Sequence, residues 1–268
     1  MKPNEILENS ITIGKGKALA SFGKLAVLGI LAGMFIALAA VGANTAGSNL
    51  LMNPDTFGTG KLVTGAVFTV GLILVVLAGG ELFTGNCLMI TSLLEKEIPL
   101  VKMLRNWIIV YFFNFVGAVV VAFMISQSGL MNAGLVGAIT VKIAASKVAL
   151  SFTSAIILGI LCNFLVCLAV WIAWGSDSTI GKIFGIFFPI MLFVTSGFEH
   201  SVANMYYIPA GIFAKANETF VNLAGVDVSN LTWGGFLLDN LLPVTIGNII
   251  GGALFVGAAY WYCYKKAE

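Results

Sequence analysis

The fold is decided by two stretches, Gly79-Gly80-Glu81-Leu82-Phe83-Thr84-Gly85-Asn86 and Thr195-Ser196-Gly197-Phe198-Glu199-His200-Ser201-Val202-Ala203-Asn204. Each interrupts a long apolar run, residues 62–94 and residues 183–214, with glycine and ionisable side chains. As one straight helix the first run would be roughly 50 Å long, whereas the hydrocarbon core of a bilayer is about 30 Å thick. We therefore predict that each run forms two half-helices that meet at a break near the middle of a membrane.

The rest of the chain has the composition of a membrane protein. Of its 268 residues 59% are hydrophobic and 10% are charged, and the mean hydropathy is +1.00, whereas soluble domains carry about 25% charged residues. Four uninterrupted apolar runs are long enough to cross a bilayer: residues 25–43, 107–125, 152–174 and 241–262. The sequence thus predicts an all-α protein with six transmembrane segments, the second and fifth broken, in one domain at residues 25–264. We expect residues 1–24 to form an amphipathic helix on the membrane surface.

The chain also contains an internal repeat. Leu28-Gly29-Ile30-Leu31 recurs 130 residues later as Leu158-Gly159-Ile160-Leu161. The two breaks match at an offset of 118, and the third and sixth segments match at an offset of 134. The matched pairs are Gly79 and Gly197, Glu81 and Glu199, Asn86 and Asn204, Asn106 and Asn240, Asn114 and Asn248, and Gly117 and Gly251. Since three segments are an odd number, the second half enters the membrane from the opposite side, which predicts an inverted repeat with its site where the broken helices meet.

The distribution of lysine and arginine predicts the orientation, because cytoplasmic loops carry the excess of positive residues. With the N-terminus inside, ten of these residues lie inside and four outside. The inner residues are Lys2, Lys15, Lys17, Lys24, Lys96, Lys102, Arg105, Lys182, Lys265 and Lys266, and the outer ones are Lys61, Lys142, Lys147 and Lys215. We therefore expect both termini to be cytoplasmic in a multi-pass protein of the cell membrane.

The breaks carry the chemistry expected of a site for a small anion. Irregular backbone at membrane depth survives where it lines a cavity or is buried in protein, and a half-helix that begins there directs its positive dipole end at the centre. His200 is the only histidine, and its unperturbed pKa near 6.5 suits it to hold or release a proton. Thr84 and Asn204 offer hydrogen-bond donors, and Lys147 could draw anions into an outer vestibule. We expect Glu81 and Glu199 to turn away from the lumen and bond freed backbone N–H groups or the histidine. The bland alternative is a pair of glycine kinks that only help packing.

Other function classes lack their required residues. Cys87, Cys162, Cys167 and Cys263 form no CxxC pair and have no neighbouring histidine, so we expect no metal site, and nothing in the sequence implies a cofactor. A single histidine without a paired nucleophile does not form an enzyme active site. A net charge of +2 from scattered lysines does not predict nucleic-acid binding. A neutral-solute channel of the aquaporin type is the nearest rival, but the chain has no Asn-Pro-Ala box.

Four motifs together resemble the formate/nitrite transporter family over nearly the whole chain. They are residues 80–86 of the first break, residues 159–163 with residues 166–171, residues 196–205 of the second break, and Pro243-Val244-Thr245-Ile246-Gly247-Asn248-Ile249-Ile250-Gly251-Gly252. The resemblance implies an aquaporin-like fold and a homopentamer, in membrane lipid, with one pore in each protomer. It also implies passage of formate, nitrite or hydrosulfide.

The same resemblance implies roles for individual residues. His200 becomes the central pore histidine, with Thr84 and Asn204 close by, Glu199 beside it, and Asn163 and Lys147 near the pore and its vestibule. It also implies two apolar constrictions, one formed by Phe68, Leu82 and Phe193 and the other by Leu72 and Val166.

The substrate prediction rests on the first break. Gly79-Gly80-Glu81-Leu82-Phe83-Thr84-Gly85-Asn86 looks closest to the hydrosulfide branch of the family. We therefore predict a passive channel for a weak-acid anion, with a proton-coupled exporter of the same family as the alternative, and rank hydrosulfide before formate and nitrite. His200 either protonates the passing anion or attracts it as a fixed imidazolium, and the sequence leaves both open.

Overall fold

The computed structural model describes residues 1–265 as an all-helical bundle. Lys266, one of the ten lysines and arginines predicted to lie inside, falls outside the described residues. The helices are α1 (Pro3–Leu19), α2 (Phe22–Met52), α3 (Pro54–Gly79), α4 (Phe83–Leu94), α5 (Leu100–Gln127), α6 (Val136–Val148), α7 (Phe152–Trp174), α8 (Thr179–Ser196), α9 (Ser201–Ala214), α10 (Glu218–Ala224) and α11 (Gly235–Lys265).

Six helices of the described chain are long and apolar enough to cross a membrane: α2, α3, α5, α7, α8 and α11. The half-helices α4 and α9 complete the second and fifth segments, so the six-segment, twice-broken fold predicted from the sequence is confirmed. The first and last membrane segments are longer than predicted. Helix α2 runs past residue 43 to Met52, and α11 begins at Gly235, before residue 241.

Each break opens on a glycine with left-handed backbone. Gly79 ends α3 with φ +94°, and Gly197 ends α8 with φ +78°. Side chains with a Cβ rarely adopt this conformation, whereas glycine does so without strain. The two glycines also correspond in the internal repeat, so both helices end at a glycine with positive φ.

Close helix crossings in the two halves also depend on glycine. A Cβ at Gly117 of α5 would lie 2.1 Å from the carbonyl oxygen of Ile30 in α2. A Cβ at Gly251 of α11 would lie 2.2 Å from the carbonyl oxygen of Ile160 in α7. Small residues let membrane helices approach backbone to backbone, where dispersion contacts hold them together. The two halves therefore use the same packing device at corresponding positions.

Helix α1 packs on the protein, which differs from the predicted surface helix. Its apolar residues Ile6, Leu7 and Ile11 are buried, and Ser92 of α4 donates a 2.8 Å hydrogen bond to the Ile11 carbonyl oxygen. The amphipathic face identified in the sequence is thus covered by protein. Composition alone cannot distinguish an apolar face that meets lipid from one that meets another helix.

Candidate functional site

Two buried asparagines, Asn114 and Asn248, hold the broken backbone in place. Asn114 of α5 accepts a hydrogen bond from Phe83 N (3.0 Å) and donates to the carbonyl oxygens of Gly29 (2.7 Å) and Glu81 (2.9 Å). Asn248 of α11 makes the corresponding contacts, to Ser201 N at 2.9 Å, Gly159 O at 2.8 Å and Glu199 O at 2.9 Å. Backbone groups freed at the breaks are thereby satisfied inside the protein, as the absence of water in a bilayer core requires.

The carboxylate of the first break is paired with the N-terminal helix. Glu81 accepts hydrogen bonds from Lys17 Nζ (2.8 Å) and Asn86 Nδ2 (2.7 Å). Asn86 in turn donates to Asn106 Oδ1 (2.8 Å), and Asn106 donates to the Lys17 carbonyl oxygen (3.3 Å). A lysine of α1 is therefore part of the wall at the first break.

The carboxylate of the second break has the same surroundings. Glu199 accepts hydrogen bonds from Lys147 Nζ (2.7 Å), Asn204 Nδ2 (2.7 Å) and Asn240 Nδ2 (3.2 Å). Asn240 also donates to the Lys147 carbonyl oxygen (2.9 Å). The expectation that Glu81 and Glu199 bond backbone N–H groups or the histidine is thus wrong, since lysine and asparagine side chains take those bonds.

Asn204 is also placed differently from its predicted role as a donor to the anion. Both of its N–H groups are used, one by Glu199 and one by Asn240 Oδ1 (2.7 Å). Its Oδ1 is buried and, among the described residues, has no hydrogen-bond partner. The residue lines a cavity, but it has no N–H left to donate to an anion there.

His200 and Thr84 form the contact between the two breaks. Thr84 Oγ1 lies 2.9 Å from His200 Nε2, and both side chains are buried. His200 also precedes α9 as its N-cap, where its Nδ1 accepts a hydrogen bond from Ala203 N (3.0 Å). Because Nδ1 accepts, these hydrogen bonds assign a neutral ring with its proton on Nε2, donated to the Thr84 oxygen. The hydroxyl proton of Thr84 is then free to turn toward an anion.

A cavity opens on each side of this contact. The Lys147 cavity, about 360 Å³, reaches His200 and is bordered by Lys147, Glu199 and Asn204. The Lys17 cavity, about 340 Å³, reaches Leu82 and is bordered by Lys17, Lys24 and Glu81. Each cavity thus ends in buried residues of one break and carries the lysine–glutamate pair of that break.

The five apolar residues of the predicted constrictions are buried, and four of them divide between the cavities. Phe68 and Phe193 line the Lys147 cavity, with ring centroids 5.8 Å apart, and the Phe193 ring stacks on His200 at 6.0 Å. Leu82 lines the Lys17 cavity together with Leu72. The predicted grouping of Leu82 with Phe68 and Phe193 in one constriction stays a prediction. Leu82 occupies the position of His200 in the repeat, so it belongs to the other break.

Two residues predicted near the pore, Asn163 and Val166, line neither of the two cavities. Asn163 is fully buried and donates to the carbonyl oxygens of Thr84 (3.2 Å) and Asn248 (2.6 Å), so it fixes the position of Thr84. Val166 is buried on α7, one turn before Val170, which lines the Lys17 cavity.

Sequence reasoning missed Lys17 as part of the site. It was only one of ten inner positive residues, yet the offset of 130 that relates the first and fourth segments also maps Lys17 onto Lys147. That offset would have found it. It also makes α1 the counterpart of α6, so each repeat contains a preceding helix as well as three segments.

A family model described as formate/nitrite transporter matches residues 4–262. The chain belongs to the formate/nitrite transporter family. It is therefore a multi-pass membrane protein of a channel and transporter family and not an enzyme. The earlier resemblance, drawn from four motifs, is confirmed at this level.

Relatives and a solved structure of the formate/nitrite transporter family match nearly end to end. A probable formate transporter of Methanothermobacter thermautotrophicus is 45% identical over 280 residues, covering 98% of this chain and 97% of the relative. Formate channel BtFdhC of Bacillus thuringiensis is 44% identical over 267 residues, covering 99% and 96%. A pentameric formate channel solved with formate bound superposes with a TM-score of 0.80 at 36% identity, covering 91% of this chain and 98% of that one.

Proposed function

We propose that this protein is a passive channel for formate and similar small weak-acid anions, with a pore that passes between the two cavities at Thr84 and His200. The observation that carries the proposal is the 2.9 Å contact between these side chains, buried between two cavities that each hold a lysine. The proposed assembly is a homopentamer in the cytoplasmic membrane with both termini inside, and each protomer has its own pore.

Charge explains how an anion approaches the centre. Lysines in a partly enclosed cavity raise the local concentration of anions, and low-dielectric walls strengthen the effect. Lys147 and Lys17 hold equivalent places at the two breaks, so an anion meets an ammonium group from either side. Glu199 and Glu81 offset much of that charge, which keeps the anion from binding too tightly to leave.

The apolar centre explains why a proton is needed. Moving a bare anion into a dry constriction costs about 20 kcal/mol by the idealised Born estimate and several kcal/mol after relaxation. Each 1.4 kcal/mol of barrier slows passage about tenfold. A weak-acid anion that accepts a proton crosses as a neutral acid and loses the proton on the far side. The Thr84 hydroxyl can donate to its carbonyl oxygen.

His200 can supply that proton only after it has received one. Its ring carries a proton on Nε2 alone, and giving that up would leave an imidazolate. A second proton has to arrive at Nδ1, which displaces the Ala203 N–H from that nitrogen and uncaps α9. Protonation of His200 therefore has a cost in helix capping, and this favours a brief proton shuttle over a permanently charged imidazolium.

Formate is proposed ahead of the other anions because of the relatives. Two relatives that match almost end to end are described as a formate transporter and a formate channel. The ranking from the sequence, which placed hydrosulfide first, rests on the residues of the first break alone and stays a prediction. Nitrite stays the third candidate.

Flux into proteoliposomes tests the proposal. Uptake of formate, hydrosulfide, nitrite and glycerol is measured side by side, with the charge carried and the pH change recorded for each. We expect formate to pass electroneutrally, and glycerol to pass no faster than through protein-free vesicles. Glycerol passage equal to that of formate would favour the neutral-solute alternative and contradict the proposal.

The variant His200→Asn tests the role of the central residue, because an amide can hydrogen-bond but cannot titrate. We expect it to assemble as the parent does, and to change the pH dependence and the charge moved per formate. Thr84→Ser serves as the matched control, since it keeps the hydroxyl and is expected to keep the pH profile. A His200→Asn channel with the parent's pH profile and charge per anion would exclude the proton shuttle.

A further inference from the structure

The Lys147 cavity holds more positive charge than the passage of one monovalent anion requires. Besides Lys147 it is lined by Lys61 of α3 and Lys142 of α6. Its volume of about 360 Å³ falls in the range of about 300–1,000 Å³ typical of small-molecule sites. A site of this size and charge accommodates an anion larger than formate.

Two of the three lysines are uncompensated. Lys147 lies 2.7 Å from Glu199, which neutralises it. Within residues 1–265, neither Lys61 nor Lys142 forms an ion pair with a carboxylate. The cavity wall therefore carries two free positive charges.

The Lys61 ammonium lies at the second break itself. A Cβ at Gly197 would be 3.2 Å from Lys61 Nζ, and the charges of Lys147 and Glu199 both act on it. Thr195 of the same break donates a hydrogen bond to the Lys61 carbonyl oxygen (3.4 Å), which anchors that turn of α3. The Lys61 ammonium therefore lies beside the left-handed glycine of the second break.

Lys142 lies on the side of the cavity that adjoins a second depression. Together with Leu51 and Phe57 it lines both the Lys147 cavity and a shallower depression beside it. Apolar side chains, among them Ile139 and Ile143, border the cavity that Lys61 and Lys142 share. The arrangement is one cation beside the break, one cation toward the adjoining depression, and apolar wall around them.

We propose that the Lys147 cavity binds a small aliphatic dicarboxylate, with one carboxylate on Lys61, the other on Lys142 and the carbon chain against the apolar wall. Two separated cations fit two separated carboxylates better than a compact dianion, which would bring both charges to one lysine. A monocarboxylate of the same length would satisfy only one of them.

The bound dicarboxylate blocks the pore instead of passing through it. This step rests on the proposed function, since a single histidine that delivers one proton would leave such a dianion still charged at the apolar constriction. Crossing as a charged species carries the desolvation penalty that stops bare anions. A dicarboxylate is therefore a competitive inhibitor on the side of the membrane that this cavity faces.

Calorimetric titration of the purified channel tests binding without reference to flux. The probes are malonate, succinate and adipate, with butyrate as the monocarboxylate matched to succinate and sulfate as the compact dianion. We expect one of the dicarboxylates to bind at least about tenfold more tightly than butyrate or sulfate, which corresponds to one additional ion pair of about 1.4 kcal/mol. Dicarboxylates that bind no more tightly than butyrate would overturn the proposal, and tighter binding of sulfate would replace it with a compact-anion site.

Variants locate the site. Lys142→Gln and Lys61→Gln are each expected to weaken the best dicarboxylate at least about tenfold, and Lys142→Arg is expected to restore it. Lys102→Gln, an exposed lysine of α5 away from the cavity, is the control and should bind as the parent does. Unchanged binding in Lys142→Gln would overturn the assignment of Lys142 to the site. If a variant fails to fold, the ligand preference measured on the parent protein still tests the proposal.

Formate uptake with and without the dicarboxylate, expressed as a ratio within each variant, tests the block. A ratio near one at saturating dicarboxylate would overturn the inhibition. Binding with the expected ligand preference in a channel that passes no formate would contradict the proposed function while leaving this site standing.

Discussion

Replacing Lys147 by alanine leaves a buried carboxylate without its cation. The Lys147 and Glu199 side chains are 14% and 5% exposed and their charged atoms lie 2.7 Å apart. Removal of one partner from such a pair costs about 3–5 kcal/mol, because the remaining charge stays buried without compensation. The Asn204 and Asn240 amides still donate to Glu199, so we expect a loss of about 3 kcal/mol, the lower end of that range.

The double variant Lys147→Ala with Glu199→Gln separates this effect from any other. A glutamine oxygen can accept both asparagine bonds, and no buried charge remains. Replacing both members of a buried pair is often close to neutral, so we expect the double variant to regain most of the stability lost in the single one. Stability is measured by detergent-induced unfolding of the purified protein at fixed ionic strength.

Formate flux in the same proteins reports on the role of the ammonium in attracting anions. Both variants lack Lys147, so both should slow uptake more at low than at high salt, because salt screens long-range attraction. The single variant should be slower than the double, since it presents an uncompensated Glu199 to the incoming anion. Equal instability of the single and double variants would refute the reasoning that the buried charge is what Lys147 offsets.

Three further predictions follow from the fold. Gly117→Ala should destabilise the α2–α5 crossing, since its Cβ would meet a backbone oxygen at 2.1 Å. Gly16→Ala, at a position on α1 with open space around it, should instead raise the free energy of unfolding by about 0.5–1 kcal/mol. Detergent-induced unfolding measures both, and a Gly117→Ala protein as stable as the parent would contradict the packing. Lys15 holds the pKa of Glu97 below its usual range, so their contact is present at neutral pH and is lost as pH falls through that lowered pKa. Acid should accelerate proteolysis of α1 in the parent and in Lys15→Gln, since the carboxylates paired with Lys17 and Lys265 also protonate, but by less in the variant, which has already lost the Glu97 contact. Equal acceleration in the two proteins would contradict a role for this contact. Reporter fusions at both ends of the chain should report a cytoplasmic location, and an external C-terminus would reverse the orientation.

The breaks and the repeat could be predicted from the sequence because their signals are local. Interrupted apolar runs, glycines and matched asparagines are read directly along the chain, and all of them have a structural role at the site. Asn114 and Asn248, noticed only as repeated residues, hold the backbone of the two breaks.

The partners of the carboxylates could not be predicted in the same way. Glu81 meets a lysine 64 positions away and Glu199 one 52 positions away, on helices that packing brings together. A lysine in a sequence looks the same whether it is solvated or buried against a carboxylate. The prediction that Asn204 donates to the anion was wrong for a related reason. Which atoms of an amide are already hydrogen-bonded depends on neighbours that only the fold brings together.

The exchange of histidine for leucine between the two breaks has a kinetic consequence. The lysine, glutamate and asparagine residues around position 82 correspond to those around position 200. Only position 200 holds a side chain that can carry a proton. Transport in both directions therefore depends on His200 alone to carry the proton. Flux should saturate at high substrate concentration from either side, and the two half-saturating concentrations need not be equal. The thermodynamic gradient sets the direction of net movement, and the different surroundings of Leu82 and His200 set the degree of rectification.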